Sequence, residues 1–142
     1  MVDQFAKLRT KLIEHEGVRN FAYTDTRGNL TIGVGRTISV HGEGLSLDEI
    51  YYLLNNDILR VHKTLSVFPW FESLNNIRQD VMMELAFNLG IEGLLNFKEM
   101  ILAIKDGDYA TAGLELKRSL WSTEVGVIRT QDLYNRLCNG VY

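Results

Sequence analysis

The sequence predicts an α+β fold: a small β-hairpin lobe joined by a long helix to a helical bundle. Three observations carry that expectation. Ile50, Leu53, Leu54, Ile58, Val61 and Leu65 recur at helical spacing and form an apolar stripe through about five turns. Between positions 21 and 35, aromatic, β-branched and alternating residues flank a stretch of turn formers. Pro69 is the one proline in 142 residues, so little interrupts helices elsewhere.

Phe5, Leu8, Leu12 and Ile13 mark a first helix that starts near Asp3 and stops at Glu16-Gly17, with Gly17 available as a left-handed C-cap. Phe21 to Thr24 and Leu30 to Gly35 read as paired strands around the turn residues Asp25-Thr26-Arg27-Gly28-Asn29. In the second strand Leu30, Ile32 and Val34 point one way, and Thr31, Gly33 and Gly35 the other. That second face carries one hydroxyl and two residues without side chains, which leaves room for another molecule. Ser46 with Glu49 three positions on is a capping box that opens the long helix. Asp57 falls on the apolar stripe of that helix, where a carboxylate is costly unless it has a cation beside it. Beyond Pro69, Ile77, Val81, Leu85 and Leu89 mark a helix closing at Gly90, and Phe97 to Lys105 one closing at Gly107. Asp108 caps Tyr109 to Leu120, and Val127 to Leu137 ends near Gly140. The expected boundaries are a hairpin lobe over about 17–45, a connecting helix over about 46–66, and a helical lobe over about 67–142 that includes the first helix.

Composition removes several other classes. With 46% hydrophobic and 23% charged residues the chain is neither disordered nor fibrous, and 142 residues make one domain. The longest uncharged apolar stretches, such as Val67 to Phe71, fall far short of the roughly 18–20 residues needed to cross a bilayer. Asp3, Lys7 and Arg9 interrupt the first ten residues, leaving no apolar core for a signal peptide, so synthesis in a cytoplasm is expected. One cysteine, Cys138, cannot make an internal disulfide, and His15, His41 and His62 lack metal-site spacing and are expected at the surface. Cys138 is expected as a small packed hydrophobe. Fifteen basic and eighteen acidic side chains give a net charge of −3, which does not suit a nucleic-acid partner; a local basic face would have to come from Arg118 and Arg129.

Three polar residues cluster around the hairpin: Glu16 at the end of the first helix, Asp25 opening the turn, and Thr31 within the second strand. Singly, each has an ordinary explanation, as a solvated helix end, turn chemistry and strand propensity. The position of Glu16 adds something. A carboxylate in a last helical turn faces the negative end of the macrodipole, which costs a few tenths to about 1 kcal/mol and biases it toward its neutral form, as a general acid requires.

Glu16-Gly17, Asp25 nine positions after Glu16, Gly28, and Thr31-Ile32-Gly33-Val34-Gly35 together resemble the active-site signature of the phage-type lysozymes, glycoside hydrolase family 24. The resemblance continues through Ser46 to Asp57, which is similar to the family's long connecting helix, Phe87-Asn88-Leu89-Gly90, Trp121 and, loosely, Gly126 to Arg129. It implies a two-lobed lysozyme-like fold and hydrolysis of the β-1,4 bond between N-acetylmuramic acid and N-acetylglucosamine in bacterial peptidoglycan. By the same resemblance Glu16 is the general acid, Asp25 and Thr31 hold and activate a water on the opposite sugar face, and the product has inverted configuration. Inverting chemistry of this kind places its carboxyl groups roughly 6.5–9.5 Å apart. Phe87 and Asn88 are implied substrate contacts, no metal or organic cofactor is implied, and a monomeric phage endolysin is the expected role. A chain without a leader would accumulate in the host cytoplasm and reach the periplasm during lysis.

Departures from the family pattern carry expectations of their own. Arg36 stands where many members have histidine, and is expected to pair with Asp57. Only eight residues separate Thr37 from Ser46, so the small lobe is expected to be shortened. Arg129 stands for the family's C-terminal arginines and is a candidate partner for Glu16. Gly33-Val34-Gly35-Arg36 lacks the third glycine and the Lys-Ser/Thr ending of a phosphate loop. The apolar runs Val67 to Phe71 and Leu94 to Phe97 are expected in the core, and Trp121 suits either core packing or sugar stacking. Two other functions stay open: a lytic transglycosylase, against which the Asp25–Thr31 water site argues, and a non-catalytic binding module of the same fold.

Overall fold

The computed structural model of the chain describes residues 3–120 and 126–142. Its elements run α1 (Ala6–Glu16), β1 (Arg19–Thr24), β2 (Leu30–Gly33), β3 (Arg36–Thr37), α2 (Leu47–Leu65), α3 (Pro69–Glu72), α4 (Asn76–Leu95), α5 (Lys98–Lys105), α6 (Tyr109–Leu120) and α7 (Val127–Asn139). The fold class is α+β, as the sequence predicts. The chain divides into two compact units, 1–54 and 55–142, with the boundary inside α2. The first helix, grouped by the sequence with the helical lobe, counts here with the first unit. No helix among the described residues is long and apolar enough to cross a membrane.

In the first unit α1 ends at Glu16, and the Gly17 amide donates to the Ile13 carbonyl at 2.9 Å. Gly17 has φ 75° but ψ 171°, so the chain leaves the helix in an extended direction and not through the left-handed cap expected. The sheet is antiparallel in the order β1-β2-β3, with Thr31 opposite Tyr23 on one side and Thr37 on the other. The pairing of β1 with β2 is irregular between Arg19 and Tyr23. The third strand is an addition to the expected hairpin: β2 stops at Gly33, the chain turns through Gly33 to Gly35, and two residues pair back. Ile32, Val34, Ile38, Leu45, Ile50 and Leu53 line an open groove of about 970 Å³ between the sheet and the first turns of α2.

The long helix starts on its capping box, with the Glu49 amide donating to Ser46 Oγ at 3.2 Å and the Ser46 amide to Glu49 Oε1 at 3.3 Å. Arg36 joins this cap. Its Nη2 lies 3.1 Å from Glu49 Oε2, and its Nη1 donates to Glu49 Oε1 at 3.2 Å and to the Gly44 carbonyl at 2.9 Å. The expected pairing of Arg36 with Asp57 is therefore wrong. Glu49 stands in the first turn, at the end of α2 that meets the sheet; Asp57, eight residues on, is about 12 Å farther along the axis. Asp57 finds its cation locally in Arg60, one turn ahead at 2.8 Å.

The second unit holds the core. Leu65, Phe71, Val81, Met82, Leu85, Leu94, Met100, Leu116, Leu133 and Leu137 are fully buried in it. Phe71 and Leu94 place the two apolar runs in the core as expected, joined by the mostly buried Trp70 and Phe97, while Val67 stays exposed. Pro69 opens the short α3 at a position where its missing amide hydrogen costs nothing. Asn75 caps α4 by accepting from the Arg78 amide at 2.9 Å. Gly90, where the sequence ends this helix, does leave helical geometry at φ 77°, ψ 166°, but the chain re-enters the helix and continues to Leu95. Asp108 caps α6 as expected, accepting from the Thr111 amide at 3.1 Å. Arg78 ties α4 to the end of α7, donating to the Leu137 carbonyl at 2.7 Å and the Cys138 carbonyl at 2.9 Å, where a cation also meets the negative end of the helix. Half-buried Cys138 packs against Gly113, and its thiol faces the Tyr109 carbonyl at 3.6 Å. His15, His41 and His62 are exposed.

Candidate active site

Asp25 ends up where it does because of the turn. Its Oδ1 accepts the Arg27 and Asn29 amides, each at 2.8 Å, and its own amide donates to the Asn29 carbonyl at 2.9 Å. This is an Asx-type turn, in which the short side chain closes the loop that the backbone opens. The amide of Asn29, with the Arg27 amide adding to it against some desolvation, holds the Asp25 carboxyl below its ordinary value. Such a carboxylate stays ionised through mildly acidic conditions.

Thr31 sits two residues beyond Asn29, in the central strand, and is only 3% exposed. Its hydroxyl donates to the Asn29 carbonyl at 3.0 Å. With its hydrogen committed, Thr31 Oγ1 keeps lone pairs to accept from another donor. One residue, Asn29, is therefore bonded to Asp25 through its amide and to Thr31 through its carbonyl. The sequence reading treats Asn29 only as a turn former; an Asx-turn acceptor four residues ahead of it is the signal that reveals the link.

Glu16 is the last residue of α1 and is exposed. Among the described residues of the first unit its carboxyl group has no hydrogen-bond or ion-pair partner. It lies beside Gly35 in the turn between β2 and β3, so this loop and the helix end meet at the carboxyl group. Glu16, Asp25 and Thr31 all belong to the first unit. Phe87 and Asn88 belong to the second, exposed on α4 just before the break at Gly90. Arg129, a candidate partner for Glu16, stands 3.9 Å from Glu84 on α4, and Arg118 stands 3.6 Å from Glu115. Each arginine of the expected basic face is thus matched by a carboxylate. Trp121 lies outside the described residues. No group of three His, Cys, Asp or Glu side chains among the described residues could hold a metal ion.

A carboxyl group at a helix end, and a second carboxylate joined to a hydroxyl in an adjacent hairpin, are the groups that acid/base hydrolysis of a glycosidic bond uses. Fold and site together define a lysozyme-like glycoside hydrolase. A model of the phage lysozyme family matches residues 13–137, and the chain belongs to that family. It is 24% and 26% identical to two proteins of Dictyostelium discoideum named probable T4-type lysozyme 2 and 1. Those matches cover 84% and 82% of this chain, and 86% and 85% of the relatives. It is also 26% identical, over 75% of its length, to the pre-baseplate central spike protein Gp5 of Enterobacteria phage T4, of which it spans 23%.

Proposed function

We propose that the chain is a muramidase of glycoside hydrolase family 24. It cleaves the β-1,4 bond between N-acetylmuramic acid and N-acetylglucosamine in bacterial peptidoglycan with inversion at the anomeric carbon. Glu16 donates its proton to the leaving glycosidic oxygen. Asp25 and Thr31 orient a water on the other face of the sugar; Asp25 takes a proton from it as its oxygen bonds to the anomeric carbon. Phe87 and Asn88 contact the glycan. The observation that carries this reading is the joint bonding of Asp25 and Thr31 to Asn29, which ties an ionised acceptor and a hydroxyl to the same residue of the hairpin. In the same reading the protein acts as a monomeric phage endolysin, made in the host cytoplasm and released to the periplasm at lysis.

Purified sacculi test the reading directly. Glu16→Gln should lower turbidity clearing by several orders of magnitude while the melting temperature holds level or rises, because a carboxylate at a helix C-terminus is replaced by a neutral amide. Retention of a tenth of the wild-type rate removes Glu16 from the mechanism. Mass spectrometry of the digest should find reducing muramic ends; anhydro ends would make the enzyme a lytic transglycosylase.

A further inference from the structure

The geometry points to Gly35 as the positioning residue of Glu16: the space left by its absent side chain is the seat against which the carboxyl group rests. This rests on the reading of Glu16 as the proton donor. A general acid has to be held in place, yet a strong hydrogen bond to a protein acceptor would compete for the proton it must give away. Glu16 is exposed and has no hydrogen-bond partner among the described residues of the first unit, so contact is what that unit supplies to locate its carboxyl group. A Cβ built on Gly35 would stand 3.2 Å from Glu16 Oε2, 3.3 Å from Cδ and 3.4 Å from Cγ. Three consecutive atoms of the side chain lie along the bare face of this one residue, and a methyl group there would push them by a few tenths of an ångström.

Backbone conformation does not account for this arrangement. Gly33 and Gly35 have the same φ of 69°, and a Cβ on Gly33 would meet nothing within 4 Å. Both glycines serve the turn from β2 to β3; only Gly35 also serves Glu16. The pair is therefore an informative comparison, since alanine at either position meets the strain of a positive φ and only one of the two alanines touches the carboxyl group. Catalytic groups tolerate little displacement, roughly 0.5 Å before rates fall.

Gly35→Ala and Gly33→Ala should each lower the melting temperature, because each puts a side chain at positive φ. Gly35→Ala should reduce kcat on soluble peptidoglycan fragments roughly tenfold further than Gly33→Ala, with KM moved no more than in Gly33→Ala. Without substrate, the carbon-13 resonance of the Glu16 carboxyl group should move in Gly35→Ala and stay in place in Gly33→Ala. In Glu16→Asp, whose shorter side chain withdraws from the seat, adding Gly35→Ala should cost less than it does in the wild type. If either alanine variant does not fold, asparagine at the same two positions repeats the comparison, because asparagine tolerates positive φ. Equal kcat in the two variants together with an unmoved resonance overturns the seat while leaving Glu16→Gln to decide the proposed function. Wild-type clearing by Glu16→Gln overturns that function and the inference with it.

Discussion

The two units of this chain are held together by different physics. Every buried apolar side chain among the described residues lies in the second unit, from Leu65 to Leu137. In the first unit the one buried residue among those described is Thr31, while Phe5, Leu8, Leu12, Ile13 and Ile50 are each more than 40% exposed. The first unit relies on local polar geometry: the Asx turn at Asp25, the capping box at Ser46 and Glu49, and the Arg36 bridge. The comparison teaches that the proposed chemistry sits in the part of the chain with the least hydrophobic stabilisation. There a hydrogen bond or a missing Cβ places each group, and substitutions should change activity more readily than folding.

The largest effect in that contrast falls on activity in the first unit. Asp25→Ala should lower clearing nearly as far as Glu16→Gln, and Thr31→Ala should fall between it and wild type, because Thr31 orients the water and does not take its proton. Both variants should keep a cooperative thermal transition, with Asp25→Ala melting lower than wild type because two backbone amides of the turn lose their acceptor. If Thr31→Ala clears at the wild-type rate, the hydroxyl has no part in holding the water. The converse belongs to the second unit, where Phe71→Ala removes a fully buried ring and should cost about 3–5 kcal/mol by denaturant titration. At temperatures where this variant stays folded, its kcat should be unaffected. A loss of kcat in the folded variant would blur the division between the two units.

The same division governs what the sequence makes legible. Periodic apolar residues reveal α4, α5, α6 and α7 to within a few positions, because in the second unit burial is what forms the elements and burial writes a 3.6-residue period. The break at Gly90 looks like a helix end, since a glycine signals departure from helical geometry but says nothing of return. Glu16, Asp25 and Thr31 are legible as a family motif. The bonds that organise them are not, because the Asn29 bridge and the Gly35 seat rest on backbone groups and on an absent side chain. The two-residue β3 is too short to show alternation, and without it Arg36 has no visible direction. Assigning Arg36 to Asp57 followed charge alone; the strand turns Arg36 toward the cap.

The smallest expected effect concerns that cap, and it tests whether the polar bonds of the first unit act together. Arg36 and Glu49 are both about 40% exposed, so solvent screens the pair, and separate removal of either side chain should lower the melting temperature by only about 2 °C. The double variant should nonetheless lose less than the sum, since Glu49 also accepts from Ser46 and both changes disturb one junction. Hydrogen bonding from Ser46 first, and the Arg36 guanidinium after it, hold the Glu49 carboxyl below its ordinary value. A carboxyl group that is more acidic folded than unfolded contributes its stabilisation above the unfolded value, and loses it as pH falls through the folded one. Coupling measured from thermal melts should therefore be constant from neutral into mildly basic solution, where arginine keeps its charge, and should fade only below about pH 4. Coupling that instead disappears between pH 6 and 8 would require a histidine in the network; strict additivity at neutral pH would reduce Arg36 to a surface charge beside an independent cap.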